Sequence, residues 1–245
     1  MTSNSEPFVL EYRGICPICD GPATFRAEAP WLRESLMCTS CPNGSVPRER
    51  ALALVLRETA PNWKDLQIHE AAPADRGISR VLRRDCRNYV ESQYFPNQAA
   101  GVMVGGARNE NLERQTFADA SFDLVISLDV MEHVARPERA VAEIYRTLRP
   151  GGRYLCTFPI GPAQQHAVDP RIRLEADGRT TPIKEAQYHG NPIDPAGSLV
   201  TIDYGYDIHK RIAEWAPFDV RVYRFADRTH GILGELTDVV ACWKI

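Results

Sequence analysis

The sequence predicts an α/β fold with helices on both faces of a doubly wound, mostly parallel sheet. From about residue 47 onward, helical segments and apolar strand segments alternate along the chain. The clearest strand, "SFDLVISLDV" at 121–130, is almost continuously apolar from Leu124 to Leu128, which is typical of a central parallel strand covered on both faces. Alternation on this scale indicates a doubly wound sheet, whose ligands bind at the carboxyl ends of the strands.

Four cysteines near the start of the chain predict a metal site. Cys16 and Cys19 form one C-x-x-C pair, Cys38 and Cys41 form another, and eighteen residues separate the pairs. This is the spacing of a four-thiolate zinc ribbon, in which the four sulfurs complete a tetrahedron and leave no position for a substrate. Residues 1–47 are therefore predicted to be a zinc-ribbon-like segment with a structural Zn²⁺. A redox dithiol, or four unconnected cysteines, is the alternative.

Charge argues against nucleic-acid binding as the main task of the protein. Residues 1–50 carry five arginines and six acidic residues, so the ribbon segment is not a basic surface. The whole chain has a formal net charge of -3 and a pI near 6.1. The ribbon segment is at least as well suited to act as a lid, an oligomer contact or a packing element.

Helix and strand signals alternate in the first half of the body. "RERALALVLRETAP" has an apolar face at Leu52, Val55 and Leu56, with Pro47 and Pro61 as boundary signals. "DLQIHE" is then predicted to be a strand, "RGISRVLRR" a helix, and "RNYVES" a second strand.

The second half of the body continues the alternation after the strand at 121–130. "RPERAVAEIYRTLRPGG" predicts a helix that begins at Pro137 and stops at the Pro-Gly-Gly segment. "RYLCTFP" predicts the next strand, "DIHKRIAEWAPF" a helix, and "DVRVYRF" and "TDVVACWKI" the two last strands. Residues 161–204, rich in Gly, Pro, His and Asp, are predicted to be an insertion that covers the ligand site.

The lack of a recognisable targeting signal in the sequence favours a cytoplasmic location. The start of the sequence has no basic region followed by an apolar segment, and no apolar run approaches the length of a membrane-spanning helix. Most of the seven cysteines fall into the two pairs, which favours metal thiolates in a reducing compartment over disulfides. We therefore expect a cytoplasmic protein without membrane contact.

Residues 117–159, "FADASFDLVISLDVMEHVARPERAVAEIYRTLRPGGRYLCTFP", closely resemble the class I S-adenosylmethionine-dependent methyltransferases, of the type 11 group. The ordered set of F-D-L-V, V-M-E-H-V, L-R-P-G-G and a strand ending in F-P carries the resemblance. The resemblance extends over 48–245. It implies a seven-stranded Rossmann-like sheet in which the seventh strand is inserted antiparallel beside the sixth.

The resemblance implies which residues contact S-adenosylmethionine. "IHEAAPADRG" occupies the place of a glycine-rich turn without its glycines, so Glu70 is predicted to receive the cofactor's ammonium group beside the small Ala71. Gln93, or else Glu91, is predicted to contact the ribose hydroxyls. The other predicted cofactor contacts are the adenine segment Asn109, Glu110, Asn111 and Leu112, and Asp129, for which a strand-end turn role is the alternative.

The acceptor side of the site is predicted to use histidines and the insertion. His133 follows the fourth strand, at a place that faces cofactor or acceptor in many relatives, and a neutral imidazole there could remove a proton or hold the loop by a hydrogen bond. In the insertion, Tyr188 and His189 are predicted catalytic residues, and His166 is a weaker candidate.

These expectations combine into one leading hypothesis. It is a methyltransferase acting on oxygen or nitrogen of a small polar metabolite or saccharide. An RNA methyltransferase that contacts RNA through its zinc ribbon is one alternative, and a catalytically silent zinc-binding interaction module is another. The expected partner is a small-molecule acceptor, and a homodimer remains open.

Overall fold

The structure is a computed structural model that describes residues 8–161, 168–175, 179–191 and 193–245. The chain begins with a small antiparallel sheet that contains the four paired cysteines. Its elements are strand β1 (Leu10–Cys16), strand β2 (Gly21–Ala27), helix α1 (Leu32–Ser35) and strand β3 (Met37–Cys38).

The next elements confirm the predicted alternation. They are helix α2 (Pro47–Thr59), a short 3₁₀ helix (Trp63–Asp65), strand β4 (Gln67–Ala71), helix α3 (Gly77–Asp85) and strand β5 (Asn88–Gln93). Helix α2 begins at Pro47 because a proline fits the first helical turn, where its missing N–H has no partner to lose.

The central part of the sheet follows. Its elements are strands β6 (Met103–Val104) and β7 (Ala107–Asn109), strand β8 (Phe122–Leu128), a 3₁₀ helix (Met131–His133), helix α4 (Pro137–Thr147) and strand β9 (Leu148–Thr157). The apolar run Leu124–Leu128 lies in β8, and its middle residues are fully buried, as predicted. Strand β9 begins at Leu148, earlier than the sequence indicated.

The predicted insertion contains three short antiparallel pairs, and the last helix and two strands follow it. The paired strands are β10 (Val168–Pro170) with β15 (Ile202–Tyr204), β11 (Ile172–Leu174) with β12 (Thr180–Pro182), and β13 (Tyr188–His189) with β14 (Ser198–Leu199). The chain then forms helix α5 (Ile208–Trp215), strand β16 (Phe218–Tyr223) and strand β17 (Val239–Lys244). None of the helices in these described ranges is long and apolar enough to cross a membrane.

The order of strands in the large sheet is β16-β17-β9-β8-β4-β5-β7-β6. Strands β5, β4, β8 and β9 run parallel, and β17 lies antiparallel between β9 and β16. This is the predicted arrangement of seven strands, with the last strand inserted. Strand β6 adds an eighth, because residues 103–109 turn back on themselves as a tight antiparallel pair.

The ribbon segment and the body share one hydrophobic core. Phe25 and Leu36 of the ribbon are fully buried in the same cluster as Leu52 of α2 and Leu124 of β8. Burial of these side chains is a large favourable contribution to folding. The ribbon therefore packs as part of the face of the sheet that α2 and α3 cover.

A buried arginine ties the ribbon to the C-terminal part of the chain. The guanidinium of Arg50 donates hydrogen bonds to the carbonyls of Leu36 (2.8 Å), Gly231 (2.6 Å) and Ser45, and it lies 4.8 Å from the ring centroid of Phe25. Gly231 has a left-handed φ of 68°, and a Cβ there would lie 2.6 Å from the Phe25 ring, so glycine is required.

Candidate active site

The carboxyl ends of β4, β5 and β8 lie side by side at one edge of the sheet. Most of the predicted site residues are at these ends or in the turns that follow. In a parallel sheet this edge is where backbone groups leave the ladder and become available to a ligand.

The turn after β4 is tight and made of small residues. Ala72 has a left-handed φ of 52°, and its N–H donates to the carbonyl of Ser92 at 2.8 Å. A non-glycine residue in this region costs about 1 kcal/mol, so the conformation is held by the neighbouring strand. The chain therefore forms, without glycine, the kind of turn that the family resemblance places here, and Ala71 is buried beneath it.

Glu70 is fully buried beneath α3 and beside β5. Its carboxylate accepts hydrogen bonds from Ser79 Oγ at 2.5 Å and from the Tyr89 hydroxyl at 2.7 Å. Burial raises the pKa of Glu70 from 4.5 to about 7, against the opposing hydrogen bonds. The carboxylate thus joins β4, α3 and β5, and its predicted contact with a cofactor ammonium stays a prediction.

The raised pKa of Glu70 predicts a pH-dependent stability difference between wild type and Glu70→Gln. Protonated Glu70 stabilises the wild-type fold fully below pH 4.5, and this contribution is lost as the pH rises through about 7. The neutral amide introduced by Glu70→Gln does not titrate, so the variant does not lose stability in this way. Between pH 5 and pH 8 the free energy of unfolding of Glu70→Gln should therefore gain about 3 kcal/mol relative to wild type.

Urea denaturation of both proteins at pH 5, 6, 7 and 8 measures this difference. Comparing the two proteins at each pH cancels contributions to the pH dependence that both proteins share. A difference that does not change with pH would show that Glu70 titrates normally in the fold.

The two ribose candidates on β5 differ in their surroundings. Glu91 accepts hydrogen bonds from the Arg83 guanidinium, with a shortest N–O distance of 2.7 Å. Gln93 ends the strand beside Asn109, and no hydrogen bond to its side chain amide occurs within the described ranges. The structure therefore leaves the Gln93 amide available at the strand end and engages Glu91 with α3.

The predicted adenine segment divides into two halves. The amide of Asn109 accepts from Phe95 N (2.8 Å) and donates to three carbonyls of 95–99, and Glu110 accepts from Arg108 and from Thr116. Both side chains thus hold neighbouring loops. Asn111 forms a tight turn with Glu113 N at 2.8 Å, and Leu112 is buried next to it.

Asp129 belongs to a ring of ion pairs that sequence reasoning did not find. Its carboxylate contacts Arg33 Nη2 at 2.8 Å and Arg48 Nε at 2.7 Å. Glu34 Oε1 closes the ring at 2.7 Å from each arginine. Asp129 has a left-handed φ of 54° and also accepts from Thr157 Oγ1 at 3.1 Å. These ion pairs link the carboxyl end of β8 to α1 of the ribbon and to α2.

A second cluster follows directly along the chain and joins three side chains. Glu132 Oε1 lies 3.5 Å from His189 Nδ1 and 3.9 Å from His133 Nε2, and the two imidazole rings meet edge to face with centroids 5.2 Å apart. His133 Nδ1 lies 2.9 Å from the Leu199 carbonyl, which leaves Nε2 directed at the cluster. The structure thus brings together two histidines that are 56 residues apart.

The insertion is fastened to the turn that carries this cluster. Thr201 N donates to the Glu132 carbonyl at 2.7 Å, and its hydroxyl donates to the carbonyls of Glu132 and Val134. The Tyr204 hydroxyl donates to the Met131 carbonyl at 3.0 Å. These buried bonds hold the base of the insertion over the end of β8.

Tyr188 and His166 do not join the cluster. Tyr188 is 59% exposed. It precedes His189 on β13, and successive residues of a strand point to opposite faces. Its catalytic role stays a prediction. His166 lies outside the described residues.

The four paired cysteines are brought together at one end of the ribbon. Sγ of Cys16 lies 3.6 Å from that of Cys41, Sγ of Cys19 lies 3.9 Å from that of Cys38, and all four lie within 4.8 Å of one another. A tetrahedral zinc with Zn–S bonds of about 2.3 Å separates its sulfurs by about 3.8 Å. The donor set and its spacing therefore fit Zn²⁺. Hydrogen bonds from Cys38 and Cys41 hold the pKa of Cys16 well below its ordinary value.

Comparison with known families finds a match in the central part of the chain. Residues 77–156, from α3 to β9, match the family model described as a methyltransferase domain. This central part of the chain is therefore similar to methyltransferase domains. The match includes the ends of β5 and β8 and the turn with Glu132 and His133, whereas the end of β4 and the insertion lie outside it.

Relatives and solved structures of methyltransferases are similar to this chain in parts. An uncharacterized methyltransferase of Mycobacterium marinum is 36% identical over 112 residues, which are 42% of this chain and 43% of that protein. A probable S-adenosylmethionine-dependent methyltransferase of Mycolicibacterium smegmatis is 40% identical over 52 residues, 21% of this chain and 20% of that protein. The chain thus spans less than half the length of these curated relatives.

Among solved structures, an S-adenosylmethionine-dependent methyltransferase from Mesorhizobium loti superposes with a TM-score of 0.52 and 17% identity, over 79% of this chain and 97% of that one. This similarity shows that the two proteins share the methyltransferase fold.

Proposed function

We propose that the protein is an S-adenosylmethionine-dependent methyltransferase that acts on oxygen or nitrogen of a small polar metabolite or saccharide. The observation that carries the proposal is the order of strands, with β17 inserted antiparallel between β9 and β16, in a chain whose residues 77–156 match a methyltransferase domain. The net charge of -3 favours a small acceptor over RNA.

The cofactor is proposed to lie along the ends of β4, β5 and β8. The turn at Ala71 and Ala72 admits its amino-acid part because these side chains are small. Gln93 contacts the ribose, and Asn111 and Leu112 contact the adenine. The bound cofactor supplies an electrophilic methyl group on a sulfonium; the chain's own residues position the reactants and exclude water.

The acceptor is proposed to lie between the end of β8 and the insertion, over Glu132, His133 and His189. A methyl group is transferred to a lone pair, so an acceptor that carries a proton must lose it. This cluster is the set of titratable groups at the site that the insertion covers, and we assign the activation of the acceptor to it.

The ribbon is proposed to hold a structural Zn²⁺ on Cys16, Cys19, Cys38 and Cys41. Four thiolates leave no open coordination position, so the metal acts on stability and on the docking of the ribbon. Arg50 donates to Ser45 Oγ, which lies 3.9 Å from Cys16 Sγ, so its positive charge is near the thiolates.

Calorimetry with S-adenosylmethionine and with S-adenosylhomocysteine tests the function. We expect both to bind, and Gln93→Ala to weaken both by about tenfold, the effect of losing one hydrogen bond of about 1.4 kcal/mol. Glu91→Gln, on the same strand, is the matched control and should bind as wild type does. Absence of binding by either compound at millimolar concentration would favour a silent interaction module.

His189→Ala is expected to separate catalysis from cofactor binding. His189 lies in the insertion and contacts Glu132, so its loss should lower turnover of a methyl acceptor by about 10² or more, the usual contribution of an acid–base or acceptor-activating group. The affinity for S-adenosylhomocysteine should change by less than about threefold. An equal loss of turnover and of affinity for S-adenosylhomocysteine would indicate that His189 contacts the cofactor instead.

A further inference from the structure

The buried carboxylate of Glu132 lacks the partners that a buried charge needs. The side chain is 2% exposed, and neither carboxylate oxygen has a hydrogen-bond partner within the described residues. Burying an ionised carboxylate without compensation costs several kcal/mol. Within the described ranges its ion-pair contacts are to His133 and His189, and none is to a lysine or an arginine.

The neighbouring imidazoles are arranged as ligands of a shared cation. One ligand atom each from Glu132, His133 and His189 lies within 4.8 Å of the other two. Ligand atoms about 2.1 Å from one zinc ion are about 3.4 Å apart, and the carboxylate oxygen lies 3.5 Å and 3.9 Å from the two nitrogens. Both carboxylate–nitrogen distances are thus within about half an ångström of the spacing on one ion, and the two nitrogens lie within 4.8 Å of each other.

The far nitrogen of His133 has a protein partner that orients the ring. His133 Nδ1 lies 2.9 Å from the Leu199 carbonyl. A backbone carbonyl on the opposite nitrogen is the common outer partner of a metal-binding histidine, because it fixes the tautomer that exposes the other nitrogen.

We propose that Glu132, His133 and His189 bind a second divalent metal ion of the class that imidazole favours, such as Zn²⁺. Two imidazoles and one carboxylate are a ligand set of catalytic zinc sites, which keep a fourth position open. This site is distinct from the four-cysteine site, where the coordination is closed.

The open position gives the metal a place in the reaction. An acceptor hydroxyl bound there would have its pKa lowered by the cation, as bound water has on catalytic zinc. It would release its proton to solvent, and its oxygen would take the methyl group as the bond from that methyl to the cofactor sulfur breaks. This assignment deepens the proposed function and rests on it, whereas metal binding itself does not. The site favours acceptors that present a hydroxyl oxygen to a cation.

Metal content of the full-length protein tests the proposal. Protein loaded with Zn²⁺ and freed of excess metal by gel filtration should hold two equivalents per chain by mass spectrometry. His189→Ala and Glu132→Gln should each hold one. His209→Ala, which removes an exposed histidine of α5, is the control for adventitious binding and should hold two.

Binding of S-adenosylhomocysteine to the same samples separates this proposal from the proposed function. One equivalent of zinc in wild type, or two in both His189→Ala and Glu132→Gln, would overturn the second metal site even if S-adenosylhomocysteine binds. Two equivalents of zinc in wild type and one in each variant would support the second metal site even if S-adenosylhomocysteine does not bind.

Discussion

Cys38→Ser should release the ribbon's metal ion and destabilise the whole protein. Cys38 is fully buried, and its sulfur faces that of Cys19 at 3.9 Å. A serine hydroxyl is a poor zinc ligand, so the free energy of metal binding would be lost from folding. Because Phe25 and Leu36 of the ribbon share the core of the body, we expect unfolding to be easier by about 4 kcal/mol or more.

Substitution of Co²⁺ for Zn²⁺ detects the loss of metal from the four-cysteine site. Thiolate-bound Co²⁺ has an intense charge-transfer absorption in the near ultraviolet that a site of histidines and a carboxylate lacks, so the band reports the four cysteines alone. Wild type should show the band and Cys38→Ser should have lost it or shifted it strongly. Cys86→Ser, a buried thiol outside the cluster, should keep it. A Cys38→Ser protein as stable as wild type would mean that the metal contributes nothing to the fold.

Asp129→Asn should have the second large effect, through the ring of ion pairs. The substitution keeps the size of the side chain, and asparagine tolerates the left-handed backbone of this position. It removes the negative charge between Arg33 and Arg48, whose side chains are almost fully buried. Glu34, which is more exposed, would then be the remaining acidic group that contacts both arginines in the described part of the chain. Leaving buried charges without a partner costs about 3 kcal/mol of stability.

Urea denaturation measures the loss, with Asp219→Asn as the matched control. Asp219 pairs with Arg221 at 3.3 Å on the exposed side of β16, where both side chains are more than half exposed. Such pairs contribute little because water and salt screen them, so Asp219→Asn should change stability by less than about 0.5 kcal/mol. Similar small effects of both substitutions would show that the ring at Asp129 is not a significant link between the ribbon and the sheet.

The elements of the sheet could be predicted because their signals are local. The apolar run of β8, the boundary prolines of α2 and α4 and the C-x-x-C spacing each depend on residues close in sequence. Periods of 2 and 3.6 residues are properties of a single strand or helix. The short strand β6 gave no such signal, since two residues are too few to show a period.

The candidate site could be predicted only in part, because side-chain direction and long-range partners are not local. The sequence placed Gln93, His133 and His189 at the expected edge of the sheet. It also proposed Asn109 and Glu110, whose side chains hold loops, and Tyr188, whose neighbour in the strand is the one that faces Glu132. A sequence motif includes adjacent residues alike, whereas in a strand the side chains of adjacent residues point to opposite faces.

The sequence by itself determined the α/β class, the positions of its main strands and helices, and the four cysteines as one group, since periodicity and spacing are written along the chain. The tertiary structure decided what those elements bring together: Arg33 and Arg48 on Asp129, and His189 of the insertion on the buried carboxylate of Glu132. These partners are 57 to 96 residues apart in sequence. Charges that meet only after the chain has folded leave no periodic pattern, and their pairing energy depends on a burial that only the packed core creates.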